Sequence, residues 1–286
     1  MPLRLAATLA TLMLASTASL SACTATPQPI EAVDMSPVTQ SFQSFDGTAI
    51  SYTQLGEGPV VLLLHGFTVN AKINWFDTGI AQQIASAGYT VIAPDTRGHG
   101  KSPAQTGPKA WPNDAAARDQ IALMKNLDAE PYAIVGYSMG SLVAMRYHLL
   151  SRQGSKLVLG GVGNSAADEN NTDRNTAFRA AIEAAIAGAD TQAAKSMRLR
   201  AKATGAKLED YLGALSSRTY TGADLLQTFD IPTLVLTGDE DLDNGSGPAL
   251  AKIIPNAEYQ QLTGTHTAAV GDPALPAAII AFLEKE

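Results

Sequence analysis

Continuous apolar runs and amphipathic segments alternate along most of the chain. Five runs have the length of a strand and read, in chain order, PVVLLLHG, YTVIAPD, PYAIVGY, KLVLGGVG and IPTLVLTG. Such runs are typical of strands that are buried on both faces of a sheet. Helical patterns separate several of them, and a shorter strand, AEYQQLTG, precedes a closing helix. The alternation predicts an α/β fold with a mostly parallel central sheet flanked by helices.

Two regions depart from this alternation. Near the start, SFQSFDGTAISYTQLG shows two alternating runs separated by Asp46-Gly47, a pattern that predicts a β-hairpin. Between residues 164 and 228, three helical stretches follow one another, with glycines near their ends. We expect them to form a helical cap inserted after the strand at about 156–162; a longer crossover is the alternative. A cap at the carboxyl ends of the strands would cover a site there.

The first 22 residues have the pattern of a secretory signal. One positive residue, Arg4, precedes an uncharged, largely apolar stretch that is too short and too rich in Ser and Thr for a membrane span. The stretch ends in Leu-Ser-Ala-Cys, which resembles the lipobox of bacterial lipoproteins, so Cys23 is expected to be lipidated. Ordinary cleavage with an unmodified cysteine is the alternative. Residues 23–40 are then a tether, and residues 41–286 the folded domain.

Composition and charge limit the size of the domain and the kinds of molecule that it could bind. The chain has 286 residues, of which 45% are hydrophobic, enough for one domain with a sizeable core. With 27 acidic and 20 basic residues the net charge is −7, and no Lys/Arg-rich run appears, so no nucleic-acid partner is expected. Cys23 is the only cysteine, which excludes an internal disulfide. The lipoprotein resemblance implies a periplasm-facing protein anchored in the bacterial cell envelope, and Thr24 favours the outer membrane.

The segment GYSMG (136–140) places a serine between two glycines, after an apolar run and before a helical pattern. A sharp strand-to-helix turn at this point would present Ser138 as a nucleophile, because the glycines leave room where side chains would crowd the turn. The helix that follows would add positive potential where an oxyanion forms. A buried turn that contains a serine by chance is the alternative, since the pattern alone is common.

Nucleophilic catalysis by serine also needs a histidine base and a carboxylate that orients it. The chain has four histidines. His65 and His266 follow predicted strands, at the edge where ligands bind in α/β sheets, and chain order favours His266. His99 lies in a predicted loop. His148 lies in the middle of a predicted helix, where a structural role is expected.

Five short motifs occur in an order that resembles the α/β-hydrolase superfamily, specifically its small, helical-capped bacterial esterase-like branch. They are HGF (65–67), DTRGHGKS (95–102), GYSMG (136–140), TGDED (237–241) and GTHT (264–267). The resemblance covers about residues 41–286. It implies the α/β-hydrolase fold and a serine hydrolase that cleaves small carboxylic esters through an acyl-enzyme on Ser138, without a cofactor or metal.

The resemblance also implies roles for individual residues. It assigns the triad to Ser138, Asp241 and His266, and the oxyanion hole to the backbone N–H groups of Phe67 and Met139. Asp239, Glu240 and Asp243 compete with Asp241 for the place of the triad acid, and the DTRGHGKS loop is assigned no chemistry. The same triad also serves C–C bond hydrolases, lactonases and acyltransferases, and a non-catalytic binding protein could keep the pocket. These functions stay open as alternatives.

Two further motifs fit other chemistry less well. GVGNSA (161–166) matches a dinucleotide fingerprint, but it follows the fourth buried strand, and the acid about 20 positions on, Glu183, falls in a predicted helix. DEDLDN (239–244) resembles the start of a calcium loop, but it has Asn244 in place of the glycine and Leu250 in place of the glutamate. The histidines and the cysteine are too scattered for a metal site.

Overall fold

The computed structural model describes residues 36–104, 109–168 and 173–285. The predicted signal peptide, Cys23 and most of the predicted tether lie outside these residues. Within them, no helix combines the length and the apolar character that crossing a bilayer requires.

Eight strands form one sheet in the described part of the chain. They are β1 (Val38–Gln43), β2 (Ala49–Leu55), β3 (Val60–Leu64), β4 (Thr90–Pro94), β5 (Ala133–Tyr137), β6 (Lys156–Gly160), β7 (Thr233–Gly238) and β8 (Ala257–Leu262). Their order across the sheet is β1-β2-β4-β3-β5-β6-β7-β8. The pairs β1–β2 and β2–β4 are antiparallel, and the other neighbours are parallel. This confirms the predicted, mostly parallel sheet.

Nine α-helices accompany the sheet in the described ranges. They are α1 (Ile80–Ser86), α2 (Ala115–Asn126), α3 (Met139–Ser151), α4 (Asp173–Ile186), α5 (Gln192–Thr204), α6 (Leu208–Ser216), α7 (Ala223–Leu226), α8 (Gly247–Ile253) and α9 (Ala274–Leu283). A π-helical turn spans Lys72–Phe76, and 3₁₀ turns span Asn164–Ala167 and Ala269–Gly271.

The predicted hairpin is present as β1 and β2, which pair antiparallel on either side of the Asp46-Gly47 turn. Gly47 has a φ of 80°, a left-handed conformation that glycine adopts without a steric penalty. The first strand begins at Val38, within the last residues of the predicted tether. The sequence of residues 38–40 lacks an apolar alternation because this part of the edge strand is exposed.

The core lies on both faces of the sheet. Leu62 and Leu64 of β3 pack into a cluster with α2 and α3, whereas Val61 and Leu63 pack into a second cluster with α1 and α9. Side chains alternate between the two faces of a strand, so a strand covered on both sides must be apolar at every position. This explains why the predicted strands are continuous apolar runs.

Four helices, α4 to α7, lie between β6 and β7, where the helical cap was predicted. The cap has its own small core, in which Ile182 of α4, Met197 of α5 and Tyr211 of α6 are buried together. Phe67, from the loop after β3, packs against this core. The cap therefore contacts the loop that the sequence assigned to the oxyanion hole.

Candidate active site

Ser138 occupies a strained turn between β5 and α3. Its φ is 54° and its ψ is −115°, a conformation that residues other than glycine rarely adopt. A side chain at Gly136 would collide with the backbone at Gly140, and one at Gly140 would collide with the carbonyl group of Leu64. The two glycines thus let α3 start immediately against β3 and β5, and the turn presents the serine hydroxyl.

His266 lies beside this hydroxyl, on the loop after β8. Its Nε2 is 2.9 Å from Ser138 Oγ, and its Nδ1 is 2.8 Å from Asp241 Oδ2. The Tyr137 hydroxyl donates a hydrogen bond of 2.7 Å to the His266 carbonyl oxygen and so fixes the loop. Burial raises the pKa of Tyr137, which keeps it a neutral donor. The structure brings together the three residues that the sequence assigned to the triad.

The competing carboxylates occupy other positions. Asp239 Oδ1 accepts a hydrogen bond of 2.7 Å from the N–H of Gly264, and so ties the loop after β7 to the loop after β8. Asp241 is the carboxylate that contacts the histidine, and its side chain is 2% exposed. The N–H of Asp243 donates to Asp241 Oδ1 at 3.2 Å. Asp239 therefore positions the loop, and Asp241 orients the imidazole.

The proposed oxyanion donors, Phe67 and Met139, line the same cavity as Ser138. Among the hydrogen bonds of the described residues, none uses the backbone N–H of either one. Asn74 supports this loop: its Oδ1 accepts a hydrogen bond of 2.9 Å from the N–H of Gly66. Sequence reasoning missed Asn74, because a π-helical turn carries it and no periodicity marks such a turn.

Residues 59–207, just over half of the chain, match the alpha/beta hydrolase fold family. The chain belongs to this family. An uncharacterised protein of Mycobacterium tuberculosis is 34% identical over 139 residues, which make up 48% of this chain and only 39% of that relative. A non-heme chloroperoxidase of Kitasatospora aureofaciens is 29% identical over 250 residues, covering 77% of this chain and 89% of the relative. Among solved structures, an esterase of Exiguobacterium antarcticum matches with a TM-score of 0.70 at 19% identity, over 86% of this chain and 99% of the esterase chain.

The other three histidines of this α/β-hydrolase make contacts away from the triad. His65 Nε2 accepts the N–H of Thr96 at 2.9 Å, so its Nδ1 carries the proton and donates to the carbonyl oxygen of Gly66 at 2.7 Å. Burial lowers the pKa of His65 and keeps it neutral. His99 is also buried. His148, near the end of α3, donates from Nδ1 to the carbonyl oxygen of Gln153, which follows the helix. His65 therefore shapes the loop beneath Phe67.

The glycines of the GVGNSA motif make room for neighbouring chain segments. A side chain at Gly161 would meet the rings of Tyr137 and His266, and one at Gly163 would collide with the backbone of Gly245. These contacts explain the spacing of the glycines without a dinucleotide.

A cavity of about 540 Å³ opens over Ser138, between the sheet edge and the cap. Its walls are mainly apolar, with Ile73, Leu142, Val162 and Phe178 among them. Asp241, Asp243 and His266 also place three possible metal-ligand atoms within 4.8 Å of one another. A metal on His266 Nδ1 would displace the hydrogen bond to Asp241, so this arrangement suits proton transfer better than metal binding.

Proposed function

We propose that this α/β-hydrolase is a serine hydrolase that cleaves carboxylic esters of small molecules. The observation that carries the proposal is the pair of hydrogen bonds at His266, 2.9 Å to Ser138 Oγ and 2.8 Å to Asp241 Oδ2, at the wall of the cavity. When Nδ1–H donates to the carboxylate, Nε2 is an acceptor that can take the hydroxyl proton. The mainly apolar walls suit the carbon chain of an ester.

The proposed reaction has two halves that use the same groups. Ser138 Oγ attacks the carbonyl carbon while its proton passes to His266 Nε2, and the N–H groups of Phe67 and Met139 hold the oxyanion. The ester C–O bond then breaks, and the alcohol leaves with the proton from His266. Water attacks the acyl-enzyme, again giving its proton to His266, and the acid leaves as the proton returns to Ser138. Asp241 stabilises the imidazolium in both halves.

One second activity is favoured by a specific observation, the relative named as a non-heme chloroperoxidase. If hydrogen peroxide replaced water as the acyl acceptor, the same acyl-enzyme would give a peracid and free Ser138. Peracid formation with added peroxide, measured beside ester hydrolysis, tests this activity. C–C bond hydrolysis, lactone hydrolysis and acyl transfer use the same groups and belong in the same substrate panel.

The proposal is tested by fluorophosphonate labelling and by hydrolysis of 4-nitrophenyl esters of graded acyl length. Ser138→Ala should lose the label and about 10⁶-fold in kcat, because removal of the nucleophile disables the whole triad. Ser151→Ala, at the other end of α3, is the matched control and should keep both. A label that persists on another serine in Ser138→Ala would overturn the assignment. A wild-type protein that is neither labelled nor active would favour a binding protein.

We also propose that Cys23 is lipidated and anchors the protein in the cell envelope, facing the periplasm, with the outer membrane favoured by Thr24. The support is the lipobox-like segment and the use of the chain's only cysteine at that position. Cys23→Ser should move the protein from the membrane fraction to the soluble periplasm. An unlipidated mature N-terminus, found by mass spectrometry of the wild type, would contradict the anchor.

A further inference from the structure

Asn74 is a buried polar residue close to the nucleophile. It is 4% exposed and lines the cavity over Ser138. A Cβ atom built on Gly66 would lie 3.5 Å from Asn74 Oδ1 and 3.6 Å from Ser138 Cβ, both of which are ordinary van der Waals distances. The amide of Asn74 and the nucleophile thus flank the same glycine, at the start of the loop that carries Phe67.

A hydrogen bond fixes the orientation of this amide. The N–H of Gly66 can only donate, so the side-chain atom 2.9 Å from it is Oδ1, and Nδ2 points elsewhere. Asn74 Nδ2 is buried and has no hydrogen-bond partner among the described residues. Because an unpartnered buried donor destabilises a fold, the presence of an amide at this position needs an explanation.

Aspartate would make the same hydrogen bond without an unpartnered donor. Its carboxylate has the shape of the amide, accepts the bond from the N–H of Gly66 and contains no N–H group. The difference is a negative charge, close to the place where the carbonyl oxygen of the substrate becomes negative in the proposed reaction. The amide of Asn74 is therefore an acceptor that does not repel the oxyanion.

Gly66 is held on both sides, which fixes the direction of the next N–H group. Asn74 accepts the N–H of Gly66, and His65 Nδ1 donates to its carbonyl oxygen at 2.7 Å. The Gly66–Phe67 peptide is planar and trans, so its N–H points away from its carbonyl oxygen. Glycine by itself allows many backbone conformations. With both hydrogen bonds in place, the N–H of Phe67 keeps one direction.

We infer that Asn74 is a positioning residue of the proposed oxyanion hole, which it serves as a neutral acceptor for the N–H of Gly66. The inference rests on the proposed ester hydrolysis. Asn74 acts through the peptide units on either side of Gly66 and not by contact with the substrate. Its effect should therefore appear when the carbonyl oxygen gains its charge in the transition state, and hardly at all in substrate binding.

Two variants test this role in the hydrolysis of a 4-nitrophenyl ester. Asn74→Asp keeps the acceptor and adds a charge. At pH 9 it should reduce kcat by about 10- to 100-fold, the effect of a unit charge roughly 7 to 10 Å from the oxyanion at an effective dielectric constant of about 20. Asn74→Ala removes the acceptor and should reduce kcat by about tenfold, the usual effect of one hydrogen bond. KM should stay close to the wild-type value in both variants.

Asn70→Asp is the matched control, because it makes the same chemical change on the same loop. Asn70 Oδ1 accepts the N–H of Ile73 at 2.9 Å, a bond that aspartate also makes. Among the described residues, Asn70 is not one that lines the cavity, so this variant should keep the wild-type kcat. Thermal melts of all variants measure the cost of burying a charge separately, since that cost lowers stability and not the turnover of folded protein.

A trifluoromethyl ketone provides a measurement that a purely structural role of Asn74 would not change. Ser138 Oγ adds to the ketone carbon while its proton passes to His266, and the ketone oxygen becomes an oxyanion. The inhibition constant of the ketone should rise in both Asn74 variants by the factor by which kcat/KM falls. The corresponding secondary alcohol has the same carbon chain but cannot form the adduct, and its inhibition constant should stay unchanged.

The results distinguish failure of this inference from failure of the esterase proposal. If the wild type is labelled and active, but either folded Asn74 variant keeps the wild-type kcat and ketone affinity, the positioning role is wrong and the esterase stands. Equal rises in the inhibition constants of ketone and alcohol would also overturn the role, because the cavity and not the oxyanion would then be disturbed. If Asn74→Asp does not fold, Asn74→Ala decides. A wild type with neither label nor turnover would overturn both proposals.

Discussion

Acid should destabilise this protein through His99, which is buried and has no carboxylate partner among the described residues. The ring is 0% exposed and packs against the rings of His65, Phe67 and Tyr211 at centroid distances of 5.3, 5.6 and 5.1 Å. Its Nδ1 bonds the carbonyl of Arg97 at 3.1 Å, while no hydrogen-bond partner of Nε2 occurs among the described residues. Burial, and then the neighbouring His65, lower the pKa of His99 to about 3.

The expected loss follows from the difference between the folded and unfolded pKa values. In the unfolded chain His99 titrates near 6.5, so between about pH 6.5 and 3 the unfolded state binds a proton that the native state does not. The free energy of unfolding therefore falls as the pH falls through this window. At pH 5, about 1.5 units below the unfolded pKa, His99 alone accounts for about 2 kcal/mol, and at pH 7.5 for almost nothing.

Urea unfolding followed by circular dichroism at pH 7.5 and pH 5.0 measures this loss. His99→Gln stays neutral in both states and can still donate to the carbonyl of Arg97. Between the two pH values the wild type should lose about 2 kcal/mol more than the variant. The comparison removes the pH-independent effect of the substitution and the titration of groups common to both proteins, such as Asp119. Equal losses in the two proteins would refute a neutral, buried His99.

Two further substitutions test the site and its turn. Asp241→Asn should reduce kcat by about 10⁴-fold, because the imidazole is then held in the wrong tautomer. Asp239→Asn should lose far less activity. A larger loss of kcat in Asp239→Asn than in Asp241→Asn would make Asp239 the triad acid. Gly140→Ala should lower the free energy of unfolding by about 3 kcal/mol or more, because the new methyl group would collide with the carbonyl of β3. Gly271→Ala, where the added methyl group meets nothing within 4 Å, is the control for urea unfolding.

The resemblance to the α/β-hydrolases implied the triad, and the strand pattern of the sequence agreed with it because all three residues follow predicted strands. Ser138, Asp241 and His266 come after β5, β7 and β8, and the carboxyl ends of parallel strands meet at one edge of the sheet. Strand identity was readable because strands buried on both faces are continuously apolar. The order of the motifs then pointed to three residues as one site, although Ser138 and His266 are 128 positions apart in the chain.

Contacts that depend on irregular turns or on packing of the cap could not be predicted in this way. Asn74 reaches the N–H of Gly66 only because the π-helical turn rotates it towards the loop. Arg200 belongs to a helix with several cations, and nothing in their spacing shows which of them faces the cavity. Helical periodicity fixes which residues share a face, but the packing of the cap decides what that face contacts.

The DTRGHGKS loop, to which no chemistry was assigned, supports the loop after β3, which carries the proposed oxyanion donor Phe67, through contacts that sequence periodicity does not reveal. Asp95 Oδ1 accepts the N–H of Ala71 at 2.9 Å, and Ala71 immediately precedes the π-helical turn that carries Asn74. Thr96 donates to His65, which in turn holds the carbonyl of Gly66. The contacts through Asn74 thus end at the N–H of Gly66, and those through His65 end at its carbonyl oxygen.

Arg97 fixes this brace to the rest of the domain. Its guanidinium is fully buried and bonds Asp119 of α2 at 2.7 and 2.9 Å, and Asp46 of the hairpin turn at 2.6 and 3.2 Å. Removing one member of such a network leaves a buried charge without compensation, which typically costs about 3–5 kcal/mol. Moving the loop after β4 would break these buried ion pairs, so the loop is held in place. The backbone N–H of Phe67, on the loop that it supports, is held in place as well. An oxyanion hole stabilises charge only when its donors are in place before the charge develops. If Phe67 is an oxyanion donor as proposed, the DTRGHGKS motif contributes to catalysis by holding the neighbouring loop in place.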